Sequence, residues 1–127
     1  MWTFLSARCG SWARVDGDQE LLRQALLNVV LNACQAMPEG GAVRVTTEPE
    51  AGKAVVVRIA DEGVGIPAED LERIFDLYFT TRPDGHGVGL SMVYRIVQLH
   101  NGGIDVTSSL GRGTTFTIRF PMGARSV

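Results

Sequence analysis

The stretch from Gln19 to Met37, QELLRQALLNVVLNACQAM, constrains this chain more than any other. Asp18 ahead of it is a good N-cap, and Pro38 followed by Gly40 and Gly41 stops it, so it reads as one long helix. Laid out at about 100° per residue, the helix is apolar on more than one side. Such a helix is expected to lie buried between layers. Two asparagines, Asn28 and Asn32, interrupt the apolar run four residues apart and share one face. Burying an unpaired amide costs roughly 1–3 kcal/mol, so both need partners.

The remaining segments divide by period. GAVRVTTE (41–48) and KAVVVRIAD (53–61) read as two strands joined by PEAG, a plausible hairpin. PAEDLERIF (67–75) reads as a short helix with Pro67 near its first turn. From Asp76 to about Gly87 no period is visible, and the segment reads as a loop. VGLSMVYRIVQLH (88–100) is an amphipathic helix ended by NGG, and GIDVTSS, the turn LGRG and TTFTIRFP make a final hairpin. WARV (12–15) reads as a short strand end before the turn DGD. Residues 1–11 carry no assignable pattern and are taken as an N-terminal extension or truncation edge, with residues 12–121 as one domain and 122–127 as a tail. Helices and hairpins segregate, which predicts an α+β, two-layer sandwich: a mixed, mostly antiparallel sheet with about three helices on one face.

Bulk properties narrow the partners. At 127 residues, 45% hydrophobic and 20% charged, the chain is an ordinary globular domain with length for a single core. A net charge of -2 gives no electrostatic reason to expect nucleic acid or an anionic membrane. Cys9 and Cys34 lack metal-ligand spacing and are too few for a disulfide scaffold, so a reducing, cytoplasmic setting is expected. No apolar run approaches the roughly 18 residues needed to span a bilayer, and MWTFL is too short and uncharged for a signal peptide.

Three stretches carry chemistry. In AVVVRIAD the alternation places Val55, Val57, Ile59 and then Asp61 on one face. A carboxylate closing an apolar stripe requires a partner, and the EGVGIP that follows provides Gly63 and Gly65 for close backbone approach to a ligand. Such an Asp would accept a hydrogen bond from an exocyclic amine like that of adenine, whereas guanine presents a carbonyl there. The other reading is a strand ending at the surface in a glycine turn. A second cluster, DGHGVGLS, alternates Gly85, Gly87 and Gly89 into a helix start, an arrangement suited to anions. A flexible loop would look similar. DEGVGIPA matches the glycine spacing of a dinucleotide fold, but no parallel strand with an acidic end follows, and Asp61–Glu62 would stand where a pyrophosphate belongs.

Taken together and in order, these stretches resemble the ATP-binding catalytic domain of bacterial two-component sensor histidine kinases, in the superfamily of gyrase, heat-shock chaperones and mismatch-repair ATPases. NVVLNACQA is similar to the N box, DEGVGI to the first glycine box, IFDLYFTT to the F box, GHGVGLS to the second glycine box and GRGTTF to the closing glycine-threonine segment. They span roughly Asp18 to Pro121, and the wording of NACQAM and TTRPDGHGVGLS is most like the nitrogen-regulation class.

The resemblance implies a Bergerat-type sandwich with an ATP lid loop, and Mg-ATP as cofactor. It implies that Asn32 binds the magnesium bridging the phosphates and that Asn28 sits one turn away beside them. Asp61 would read the adenine amine, Gly65 would border the base, Gly63 and Ile66 would also belong to the ATP site, and Thr114 would support Asp61 through a water. Thr80, Thr81, Gly85, His86, Gly87, Val88, Gly89 and Leu90 would belong to the lid and its flanks over the triphosphate. Arg82 is the nearest fixed cation, suited to stabilising charge on the transferred phosphoryl group, and is otherwise an exposed loop arginine. Phe75, Tyr78 and Phe79 are expected to anchor the lid. The partner implied is a helical dimerisation domain bearing the phosphoacceptor histidine, with a response regulator downstream.

Two departures stand out. Gln35 and Ala36 occupy positions where many sensor kinases carry a lysine and an aromatic or histidine. Neither His86 nor His100 has the setting of a phosphoacceptor, being in the lid and at a helix end where a capping or packing role is expected. The hydrolytic relatives carry a glutamate one turn before the metal asparagine, where this chain has Asn28. The expectation is therefore a kinase domain, with a superfamily ATPase, a serine-directed kinase or a silent nucleotide-binding scaffold as alternatives.

Overall fold

The structure is a computed structural model and describes residues 2–8, 17–50, 53–76 and 89–121. Its elements run β1 (Trp2–Arg8), α1 (Gln19–Gln35), β2 (Gly41–Glu50), β3 (Ala54–Asp61), α2 (Gly89–Leu99), β4 (Gly103–Ser109) and β5 (Gly113–Pro121). The strands form one five-stranded sheet in the order β1-β2-β3-β5-β4. β1 runs parallel to β2, and the other neighbouring pairs are antiparallel. The sheet is thus mixed and mostly antiparallel, as expected. Residues 2–8, for which the sequence offered no assignment, form its edge strand, while WARV lies outside the described residues.

Both α-helices pack on one sheet face. The period-two stripes of the strands meet the period-3.6 stripes of the helices there. Val43, Val57, Ile59, Phe116, Ile118 and Phe120 from the sheet share a core with Ala25, Val29 and Ala33 of α1 and Val93, Ile96 and Val97 of α2. Asp18 caps α1, its Oδ1 accepting from the amides of Glu20 at 3.0 Å and Leu21 at 3.1 Å. The expectation that α1 is enclosed between layers fails among the described residues. One side of it leaves Leu27 and Leu31 about half exposed, at 52% and 47%. The opposite sheet face carries ion pairs of Arg58 with Glu48 and of Arg119 with Glu50 and Asp105.

The end of α2 is a Schellman closure. The Gly102 amide donates to Val97 O at 2.9 Å and the Asn101 amide to Gln98 O at 3.0 Å. The left-handed position falls on Asn101, at φ 59°, and not on either glycine of NGG.

The helix expected at 67–75 is instead a 3-10 turn, Ala68–Asp70, continued by turns to Asp76. Its hydrogen bonds span three residues, from Asp70 N to Pro67 O, Leu71 N to Ala68 O, Arg73 N to Asp70 O and Asp76 N to Arg73 O. Nine residues are too few to sustain an isolated α-helix. What fixes the segment is burial of Ile74, 5% exposed, and the packing of Phe75 between Tyr94 and Phe116, with ring centroids 5.4 and 6.4 Å away. The sandwich therefore has two α-helices among the described residues, with this tight turn in place of a third.

Candidate functional site

Three adjacent strands change character at the same end. On the helix-facing side β3 runs Val57, Ile59, Asp61, β4 runs Ile104, Val106, Ser108, and β5 runs Phe120, Ile118, Phe116, Thr114. Each apolar stripe ends in a hydrogen-bonding residue. Asp61 and Thr114 are 8% and 4% exposed, so this polar end is built inside the protein.

Asp61 is held by the backbone. Its Oδ1 accepts from the Gly63 amide at 2.8 Å and the Thr114 amide at 3.3 Å. Oδ2 has no hydrogen-bond partner among the described residues, yet it is not sealed from solvent. Desolvation pushes the Asp61 carboxyl above its ordinary 3.8, and the two amide bonds oppose the rise. The carboxylate thus keeps one oriented, unfilled acceptor in a partly dry setting.

The glycines of DEGVGI answer to protein neighbours. A Cβ on Gly63 would lie 2.5 Å from Ala36 O, and one on Gly65, at φ +80°, would lie 2.3 Å from Ser109 O. The loop is stitched on both sides, with Val64 N donating to Ala36 O at 3.2 Å and Gly111 N to Val64 O at 2.9 Å. The close approach expected of these glycines is made first to the end of α1 and to the β4–β5 turn. Ile66 N donates to Ser108 Oγ at 2.7 Å, which brings a further residue into the site. Ser108 was not among the candidates, although the stripe Ile104, Val106, Ser108 carries the same signal that marked Asp61.

The asparagines do not satisfy one another. Asn28 Nδ2 lies 3.9 Å from Met92 Sδ, a weak contact that ties α1 to α2. The half-buried Asn32 amide has no hydrogen-bond partner among the described residues. Asn32 stands one turn before Ala36, whose carbonyl touches the loop that follows Asp61. α1 and β3 thus bring an unpartnered amide and an unfilled carboxylate oxygen to the same end of the sandwich.

Gly89 and Leu90 open α2; Leu90 packs partly on the core, and a Cβ on Gly89 would meet none of the described residues within 4 Å. Thr80, Thr81, Arg82, Gly85, His86, Gly87 and Val88, with Tyr78 and Phe79, lie outside the described residues. A shallow concavity on another flank of α1, lined by Leu22, Leu26, Leu27 and Val30 with Arg23, contains none of the candidate residues.

His100 is engaged at both nitrogens. Nε2 accepts from the Asp18 amide at 3.0 Å, and Nδ1 lies 2.8 Å from Ile96 O. A carbonyl cannot donate, so Nδ1 carries the proton. The ring lies where a Cβ of Gly17 would fall, 2.2 Å from Cδ2. His100 joins the end of α2 to the cap of α1, consistent with the packing role expected of it.

The sequence model of the histidine kinase-, DNA gyrase B-, and HSP90-like ATPase family matches residues 17–124. The chain belongs to this family. Within the family its relatives are sensor histidine kinases. It is 44% identical over 108 residues to the sensor histidine kinase ZraS of Escherichia coli K12, covering 85% of this chain and 23% of ZraS. It is 38% identical over 119 residues to the signal transduction histidine-protein kinase AtoS of the same organism, covering 94% of this chain and 20% of AtoS. The chain therefore spans about a quarter or less of the length of these curated relatives. Among solved structures, the mycobacterial sensor histidine kinase MprB superposes with a TM-score of 0.85 at 30% identity, covering 95% of this chain and 82% of that one. Full-length ShkA in complex with AMPPNP superposes with a TM-score of 0.87 at 30% identity, covering 99% of this chain and 27% of ShkA. The chain is thus a histidine-kinase-type ATP-binding domain with the α+β sandwich of that family. Among the described residues, no helix is long and apolar enough to cross a membrane.

Proposed function

We propose that this domain binds Mg-ATP and donates the γ-phosphoryl group to a histidine on a separate helical dimerisation domain, from which a response regulator is served. The observation that carries this reading is the unfilled Oδ2 of Asp61, buried at the end of β3 and aimed by two backbone amides. An acceptor-only group so placed takes an exocyclic amine and repels a carbonyl, which selects adenine. The ShkA neighbour was solved with an ATP analogue, AMPPNP, in keeping with that choice.

Asn32 provides the other end of the site. An amide oxygen is a hard ligand suited to magnesium, which keeps most of its waters and bridges phosphate oxygens. Asn32 would hold such an ion together with the phosphates of the bound nucleotide. Bound so, the ion would neutralise charge developing on the transferred group. Asn28 cannot take up a proton near neutral pH, so water near the γ-phosphate lacks a base on that turn and ATP is held for the acceptor. As the family resemblance implies, the glycines of the second box would close over the triphosphate, and Arg82 would stabilise charge on the transferred group. His100 is not the acceptor, because both of its nitrogens are engaged. With ATP as donor, the reaction belongs in the cytoplasm.

The test uses the purified chain, Mg-ATP and a matching dimerisation domain in trans. Acid-labile label is expected on the added domain and not on this chain, with slow phosphate release when no acceptor is present. Asn32→Ala should abolish transfer while adenosine binding survives better than ATP binding. Rapid acceptor-independent turnover on the order of 1 s⁻¹, lost in Asn32→Ala, would select an ATPase instead.

A further inference from the structure

Gln24 extends the amide row of α1. Gln24, Asn28 and Asn32 stand four residues apart, so they follow one another by about 6 Å per step along roughly one side of the helix. Gln24 Nε2 donates to Met92 Sδ at 3.3 Å, and Asn28 Nδ2 lies 3.9 Å from the same sulfur, so both face α2. Among the described residues the Gln24 carboxamide has this one hydrogen bond, and a thioether is a weak acceptor. Gln24 is exposed, whereas Asn28 and Asn32 are half-buried. The row thus starts one turn from Ala36, which touches the loop after Asp61, and runs out to the surface at Gln24.

The direction of the row sets the direction of the reaction. With the base at Asp61 and the magnesium at Asn32, the polyphosphate would run toward the N-terminus of α1, and its γ end would come level with Asn28. The acceptor nitrogen gives its lone pair to the γ-phosphorus while the bond to the β–γ bridging oxygen breaks. That electron pair leaves with ADP, and the proton of the other ring nitrogen passes to water. Attacking and leaving atoms lie roughly in line, so the acceptor enters from the side beyond Asn28, where Gln24 stands. We propose that Gln24 is an acceptor-docking residue: its carboxamide N–H leaves the thioether and hydrogen-bonds the dimerisation domain beside the phosphoacceptor histidine. This rests on the kinase reading and on the base and metal positions proposed above. A neutral amide suits a place that receives a partner beside a triphosphate, because a carboxylate there would be repelled by the phosphates.

The experiment measures phosphoryl transfer to the dimerisation domain in trans at saturating Mg-ATP, with the acceptor concentration varied. It uses the 127-residue chain, Gln24→Ala and Met92→Leu. Alanine is favoured at an exposed helix position, so Gln24→Ala should fold. In that variant the KM for the acceptor domain should rise about tenfold, the worth of one hydrogen bond, while kcat and the calorimetric ATP affinity are unchanged. Met92→Leu removes the sulfur contact at nearly constant volume and should leave all three quantities as they are. If Gln24 serves only to tie α1 to α2, the two variants should behave alike, and that result overturns the proposal. An unchanged acceptor KM in Gln24→Ala overturns it too, as does a loss of ATP affinity large enough to account for the slower transfer. Absence of label on the acceptor domain with the unaltered chain would overturn the kinase reading itself, and this proposal with it.

Discussion

The two glycine clusters look alike on paper and differ in the fold. In the first, Gly63 and Gly65 are glycine because protein backbone occupies the place of a side chain, 2.5 and 2.3 Å from where Cβ would be. In the second, a Cβ on the described member, Gly89, would meet none of the described residues within 4 Å. The first cluster would need glycine even if no ligand ever bound. Among the described residues Gly89 has no such internal reason, and the proposed close approach of a ligand would supply one. Glycine alone therefore marks a tight place without saying whether protein or ligand fills it.

Substitutions can break this contrast. The largest effect is expected at Gly65. Alanine there combines a left-handed φ of +80° with a collision against Ser109 backbone, and strain plus overpacking should cost about 2–5 kcal/mol of stability. Chemical denaturation measures it, and a loss under about 0.5 kcal/mol would mean that the loop yields. Next comes Asp61→Asn, which keeps the acceptor for the two backbone amides but turns charge into a neutral amide. ATP affinity should fall by about 1.5–3 kcal/mol, the range for hydrogen bonds to charged groups, read by calorimetry against GTP as the weakly bound control.

The same variant should not destabilise the empty domain. Because burial raises the Asp61 carboxyl in the folded chain, its contribution to stability is present below pH 3.8 and is lost as pH rises through the folded value. Asp61→Asn should therefore melt at or above the unaltered chain at pH 7, with the gap closing as pH falls toward 4. A constant gap across that range would exclude the linkage. The smallest effect is at Gly89. Alanine meets no clash with the described residues there and should stabilise by about 0.4–1 kcal/mol through the unfolded state, while ATP binding weakens. An unchanged affinity would remove the argument for ligand approach.

What the sequence revealed follows the range of the interaction concerned. Strand alternation in AVVVRIAD and the cap Asp18 are local signals, and Asp61 emerged from them in its observed place. The order of the motifs carried the family. The 67–75 segment misled because LERIF suits a helix and a tight turn equally, and the choice is made by the distant Tyr94 and Phe116 rings. β1 could not be read because its partner, β2, lies over thirty residues away in parallel register. The glycines of the first box were recognisable as a close approach, but Ala36 and Ser109 were not recognisable as what they approach. Ser108 was missed because one hydroxyl at a strand end gains meaning only beside its neighbours on β3 and β5.

One contact made earlier fixes how the site can move. Ala36 O receives the Val64 amide, and the Gly63 backbone is pressed against the same residue. The helix bearing Asn32 and the loop bearing Gly65 are thus welded into a single wall. The span between Asp61 and Asn32, the proposed base-reading and metal-binding residues, is then set by one α-helical turn and one loop. On its other side α1 meets α2 through the contacts of Gln24 and Asn28 with Met92 and through the shared core of Ala25, Val29, Val93 and Val97. In mechanical terms the α1–loop wall is one stationary jaw, against which a bound nucleotide would be measured.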